Sequence, residues 1–144
     1  DSRRFTLALH NMGIEAKGIV IGEHGENQVP LFSRLSVDVP ESVREEVLLG
    51  LRGSSMPVIK GKGGTVFGPA YHIAHMLEDI EHGREIVCSL PMDGAYGIDG
   101  CSLGILAKVT KNGSKINESL KLDDWEMQKF TAAAEFLKGL CRRV

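Results

Sequence analysis

The sequence predicts an α+β domain, an antiparallel sheet covered by long helices. Three observations point there. Cys101 to Thr110 and Lys115 to Leu120 are apolar runs joined by Lys111-Asn112-Gly113-Ser114, whose Asn-Gly pair is the strongest short hairpin signal. Helical periodicity fills the segments that begin at Pro40, Phe67 and Asp123. The chain has 144 residues with 42% hydrophobic and 25% charged residues, the size and composition of one domain with a core of its own.

Taken in order, residues 1–12 read as a helix with Phe5, Leu7, Leu9 and Met12 as its apolar stripe and Gly13 as its stop. Lys17 to Ile21 is a strand that runs into Gly22-Glu23-His24-Gly25, a loop. Val29 to Leu35 forms a second strand, interrupted at Pro30. Pro40 opens a helix with Glu41 in its first turn, Val43, Val47, Leu48 and Leu51 on the buried face, and Gly53 at its end. Met56 to Lys60 and Phe67 to His82 read as one helical region broken by Gly61, Gly63 and Gly64. Each glycine there costs about 1 kcal/mol against alanine, so the break implies a close approach of the backbone to something else. Glu85 to Leu90 is a strand, and Asp93 to Gly97 a loop. Asp123 or Asp124 caps a last helix to about residue 142, with Trp125, Phe130, Ala133, Leu137 and Leu140 buried.

Charge and cysteine usage narrow the function classes. A net charge of −2, with basic residues only in the pairs Arg3-Arg4 and Arg142-Arg143, gives no electrostatic footprint for nucleic acid or an acidic membrane. Cys88, Cys101 and Cys141 are odd in number and form no CxxC, which argues against a disulfide framework and for a reducing cytoplasm. Cys88 and Cys101 are expected as small buried apolar residues. No apolar run reaches the length of a membrane span, and no signal peptide is read. The chain opens on Asp1 rather than Met and is expected to be processed or cut from a longer polypeptide.

The chemistry concentrates near the N-terminal end. His24 sits in a loop directly after a strand, where functional side chains gather. Histidine ordinarily titrates near pH 6.5 (about), so it gives and takes protons at neutral pH. A lone histidine is by itself read as a surface or capping group. Asp1 and Arg4, one helical turn apart, add a carboxylate able to fix an imidazole tautomer and a guanidinium able to clamp a substrate carboxylate with two hydrogen bonds. Those three groups together suit a keto acid. His72, His75, Asp79 and His82 share a helical stripe, which reads as a polar face opposite Ile73, Leu77 and Ile80 more readily than as a zinc site; no metal is expected.

Asp1-Ser2-Arg3-Arg4-Phe5 resembles the DSxRF signature of the lactate/malate dehydrogenase family. Residues Ile21 to Ser33, IGEHGENQVPLFS, resemble its second signature, with Glu26 where aspartate is commoner. Gly63 to Ala70, GGTVFGPA, resembles a third segment as found in its lactate-dehydrogenase-like malate dehydrogenases. The resemblance covers essentially the whole chain, so residues 1–144 are expected to be the family's C-terminal substrate-binding and catalytic domain. It implies that His24 exchanges the proton with substrate, that Asp1 holds His24, and that Arg4 binds the substrate carboxylate. Thr65 would line the substrate pocket, and Pro69 would contact the nicotinamide of NAD or NADP. The implied reaction is oxidation of L-malate to oxaloacetate, with L-lactate as the nearest alternative substrate. A homodimer or homotetramer is implied as well. The dinucleotide-binding domain and the mobile loop that separates lactate from malate are not in these 144 residues, so the chain alone is expected to be inactive. An isolated folding or assembly module is the alternative of another class.

Overall fold

The computed structural model describes residues 1–142. In chain order these form α1 (Ser2–Asn11), β1 (Val20–Gly22), β2 (Gln28–Pro30), α2 (Glu41–Gly53), α3 (Met56–Lys62), α4 (Phe67–Glu81), β3 (Glu85–Pro91), β4 (Ser102–Thr110), β5 (Gly113–Ile116) and α5 (Asp124–Cys141). Single 3-10 turns lie at Phe32–Arg34 and Ala95–Gly97. The strands make one antiparallel sheet in the order β2-β1-β4-β3, and β5 pairs with β4. This is the α+β architecture expected. No helix among the described residues is long and apolar enough to cross a membrane.

Pro30 is accommodated because β2 is an edge strand and Pro30 faces Val20, while the donor on this edge is the next residue, Leu31, whose amide reaches the Ile19 carbonyl at 2.9 Å. The second strand ends at Pro30 instead of continuing to Leu35. Phe32 turns into a core, and the Ser33 amide donates to the Glu126 carboxylate at 2.7 Å, which draws the chain away from the sheet. The hairpin is also tighter than its sequence suggested. β5 starts at Gly113, whose φ of +119° suits glycine, and ends at Ile116. Beyond it the Asn117 side chain accepts from the Ser119 amide at 3.0 Å, a local turn that competes with the ladder.

Two cores hold the layers together. One lies between the sheet and α5 and contains Ile21, Val29, Leu31, Ile105, Phe130 and Ala133. The other joins α1, α2 and the start of α5 through Phe5, Leu9, Leu48, Leu51, Phe32 and Trp125. Phe32 is its hinge, meeting Phe5 at 4.9 Å and Trp125 at 5.8 Å edge to face. In α1, Phe5 and Leu9, four apart, share the buried face; Leu7 lies off that face in solvent, and Met12 is exposed because the helix ends before it. In α5, Trp125, Phe130 and Ala133 are buried as expected; Leu137 is half-buried and Leu140 exposed, since the last turns run past the core. Cys88 and Cys101 are half-buried and not enclosed.

The glycine-rich break is real but its expected cause is not found. Gly61 lies inside α3, and Gly63 ends that helix in the left-handed region at φ +79°. No atom of the described residues lies within 4 Å of where a Cβ would stand on Gly61, Gly63 or Gly64. α4 then lies against β3 and β4 without burying a single residue completely, and Phe67, Ile73 and Leu77 stand in solvent.

Candidate active site

Glycines shape the loop that carries His24. Gly22 closes β1 at φ +90°, where a Cβ would stand 2.7 Å from the Asn27 carbonyl. Gly22 is also the residue of β1 that pairs with β4, opposite Gly104, and a Cβ on Gly104 would stand 2.8 Å from the Gly22 carbonyl. This glycine–glycine pair lets β4 pass directly beneath the loop. Within the loop the Glu23 amide donates to Asn27 O at 3.2 Å, and the Asn27 amide and side chain both donate to the Glu23 carboxylate at 3.0 and 3.2 Å. Gln28 adds a bond to Gly25 O at 3.0 Å. The turn is tied closed on its own atoms and leaves the His24 side chain 82% exposed.

α1 brings the partner. Asp1, the cap residue of that helix, accepts a hydrogen bond from His24 Nδ1 on Oδ2 at 2.5 Å, with its side chain only 16% exposed. With Nδ1 donating to a carboxylate, Nε2 is the free ring nitrogen, an acceptor on the neutral ring and a donor on the protonated one. One turn along α1, Arg4 Nη1 approaches the other oxygen, Asp1 Oδ1, at 3.4 Å. That contact is long, single and partly solvated, so it holds Arg4 weakly. The guanidinium's remaining donors have no partner among the described residues. The helix is fastened to the strand by two hydroxyls: Ser2 Oγ accepts from the Val20 amide and Thr6 Oγ1 from the Gly18 amide, each at 3.0 Å.

The structure thus joins Asp1, His24 and Arg4 into one cluster. It does not place Arg4, His24 and Thr65 around a single cavity. His24 and Asp1 border a hollow of about 220 Å³ lined also by Cys88, Ser89, Ser102 and Gly104. Arg4 lies in a separate one of about 720 Å³ with Arg3, His10 and Gly18. Thr65 and Pro69 are exposed and line neither. Two residues beyond Pro69 on α4, Tyr71 accepts from Arg3 Nη2 at 3.0 Å and carries that guanidinium 4.6 Å over its ring. Burial raises the Cys88 thiol above its usual range, so it lines the hollow as a neutral group.

The histidine stripe of α4 is spent on local bonds. His75 pairs with Glu78 at 3.0 Å, His82 contacts the Glu78 carbonyl at 2.7 Å, and Asp79 is held below the usual carboxylate range by its bond to Arg84. Burial, then the nearby Arg3, lowers the His72 pKa. No group of three or more metal-ligating side chains comes together among the described residues. Ser2, Thr6, Gly18 and Gly104 were not found from the sequence. Only the spacing of the two hydroxyls, four apart on one helical face, carried any signal.

Residues 10–142 match the family described as lactate/malate dehydrogenase, alpha/beta C-terminal domain. A malate dehydrogenase of Haloferax volcanii is 36% identical over 149 residues, covering 96% of this chain and 49% of that protein. An L-lactate dehydrogenase of Geobacillus thermodenitrificans is 30% identical over 139 residues, covering 86% of this chain and 44% of that one. Among solved structures, the malate dehydrogenase of Archaeoglobus fulgidus in complex with NADH superposes with a TM-score of 0.84 at 33% identity, over 99% of this chain and 49% of that one. The chain spans about half the length of the curated relatives it matches. With its sequence and its fold in agreement, this chain belongs to the lactate/malate dehydrogenase family, of which it carries the α/β C-terminal domain.

Proposed function

We propose that this chain is the substrate-binding and catalytic half of an NAD(P)-dependent malate dehydrogenase that converts L-malate to oxaloacetate. The observation that carries the reading is the 2.5 Å bond from His24 Nδ1 to Asp1, which leaves Nε2 facing solvent as a proton acceptor. In the oxidising direction, Nε2 takes the proton of the C2 hydroxyl while the C2 hydride leaves and the C2–O bond becomes a carbonyl. Asp1 then faces an imidazolium and stabilises it. Arg4 grips the C1 carboxylate with the donors that its long contact to Asp1 leaves available. Thr65 borders the substrate once it is bound.

A bound nicotinamide supplies the hydride acceptor. The described residues do not form its phosphate cradle: the α3–α4 glycines lie in open space after a helix, without the strand that a dinucleotide turn requires. Pro69, in the first turn of α4, is the residue here that would meet the nicotinamide face. A dinucleotide-binding domain beyond these 144 residues would hold the rest. The same reading includes a homodimer or homotetramer, a place in the tricarboxylic acid cycle, and the cytoplasm, where the free thiols of Cys88, Cys101 and Cys141 would stay reduced. L-Lactate is the second substrate reading, supported by the L-lactate dehydrogenase relative.

The test is His24→Asn in the protein joined to its dinucleotide-binding half. Asparagine keeps a polar side chain of similar reach but cannot exchange the proton, so malate turnover should fall by about 10² to 10⁴-fold or more. Dinucleotide affinity, measured by fluorescence titration, should stay within a small factor. Normal turnover by that variant would remove the assignment, and a comparison of malate with L-lactate in the parent protein separates the two substrates.

A further inference from the structure

The ladder of β1 is incomplete on one side, and α1 completes it. In an antiparallel strand, alternate residues turn their amides to the same edge. Ile19 and Ile21 serve β2, as the Leu31-to-Ile19 bond and the Ile21–Val29 pairing require. Residues 18, 20 and 22 therefore face β4, but β4 meets β1 only at Gly22, opposite Gly104. The amides of Gly18 and Val20 donate instead to Thr6 Oγ1 and Ser2 Oγ, both at 3.0 Å. The spacings match. Residues four apart on a helix rise about 6 Å, and residues two apart on a strand advance about 6.7 Å. The Thr6 hydroxyl in turn donates to the Ser2 carbonyl at 2.9 Å, which fixes its lone pairs toward the strand. Gly18 is required for the approach, since a Cβ there would stand 2.7 Å from both the Phe5 ring and the Thr6 amide.

We infer that Ser2 and Thr6 are positioning residues for the proposed proton transfer: their hydroxyls set the register of α1 on β1, and that register decides whether Asp1 reaches His24. Asp1 directly precedes Ser2, and His24 lies four residues beyond Val20, so the clamp is next to the pair it aligns. One turn of slip along α1 moves Asp1 by about 5.4 Å and breaks a 2.5 Å bond outright. The inference rests on the acid–base reading of His24.

The test uses the protein with its dinucleotide-binding half and the variants Ser2→Ala, Thr6→Val and Thr6→Ser, with His24→Asn as control. Two readouts are taken besides stability: the split of kcat from KM and dinucleotide affinity, and the low-field proton signal of an imidazole N–H bonded to a carboxylate. Ser2→Ala and Thr6→Val should lower kcat by about 10- to 100-fold, the scale of a misplacement of about 1 Å. They should weaken or abolish the low-field signal and leave dinucleotide affinity unchanged. Thr6→Ser, which keeps the oxygen, should restore both. A purely structural role would lower the melting temperature and leave kcat and the signal of the folded protein as in the parent, and that result overturns the inference. So does unfolding of both Ser2→Ala and Thr6→Val. If His24→Asn turns over normally, the acid–base reading itself falls; if His24→Asn is inactive while the hydroxyl variants match the parent, only the positioning role falls.

Discussion

Asp1 stands between two basic side chains of different use. The short bond to His24 Nδ1 and the long contact to Arg4 Nη1 occupy different oxygens, so either partner can be changed without removing the other's acceptor. Under the proposed function this separates proton transfer from substrate binding. Arg4→Lys keeps the charge but loses the planar fork, and one ammonium cannot make two parallel bonds to a carboxylate. Loss of one charge-assisted hydrogen bond is worth about 1.5 to 3 kcal/mol, so KM for malate should rise by about 10- to 150-fold with a smaller change in kcat. Steady-state kinetics in the protein joined to its dinucleotide-binding half checks it; an unchanged KM would put Arg4 outside the substrate site. At this scale the sequence was legible for His24, Asp1 and Arg4, because their side chains sit in spaced signatures. It was not legible for Ser2, Thr6 and Gly104. Two of these bond to backbone amides, and the third acts by lacking a side chain, so none has a side-chain partner to read in the sequence.

Elements were legible where their determinants are local. The last helix is the clearest case. Asp123 accepts from the Glu126 amide at 2.9 Å and Glu126 accepts from the Asp123 amide at 3.0 Å, a reciprocal cap visible in the sequence as acid-x-x-Glu. The structure adds Arg44, which donates to Asp123 at 2.5 Å and to Val39 O at 2.7 Å, tying α2 to α5. Elements set by distant packing were not legible. The turn at Phe32–Arg34 replaces a strand because Glu126, far along the chain, captures the Ser33 amide. Burial pushes the Asp123 pKa up, but the bonds from Arg44 and the Glu126 amide outweigh it, and the net shift is downward. A carboxyl whose folded pKa is depressed stabilises above its unfolded value of about 3.9 and loses that contribution as pH falls through the folded pKa. Asp123→Ala should therefore cost about 1 to 2 kcal/mol at neutral pH. The gap between parent and variant should narrow below about pH 4. Denaturant midpoints across pH measure both. A gap that stayed constant into strong acid would mean that the cap works through shape and not through charge.

Over the whole molecule, the two cores account for the sheet, α1, α2 and α5, and leave α4 as an attachment. It touches β3 and β4 and is pinned at Tyr71 by Arg3, yet Phe67 is 79% exposed and Leu77 is 59% exposed. Val66 and Ile73 add to this apolar surface, which is larger than isolated exposed residues need. The sequence reads Ile73, Leu77 and Ile80 as one apolar side of this helix, and nothing among the described residues buries it. Under the proposed function, assembly with a dinucleotide-binding domain and further subunits would cover it. The two situations differ in magnitude. A side chain already in water contributes within about 0.5 kcal/mol to stability when replaced. A Phe or Leu taken fully out of water contributes about 1.5 to 3 kcal/mol. In the isolated chain, Phe67→Ser with Leu77→Ser should therefore shift the denaturant midpoint very little. In the full assembly the same pair should cost several kcal/mol in total, read as a lower melting temperature or as dissociation on dilution. Equal, small effects in both would show that α4 stays in water in the complete protein, and its apolar face would then have no part in holding that protein together.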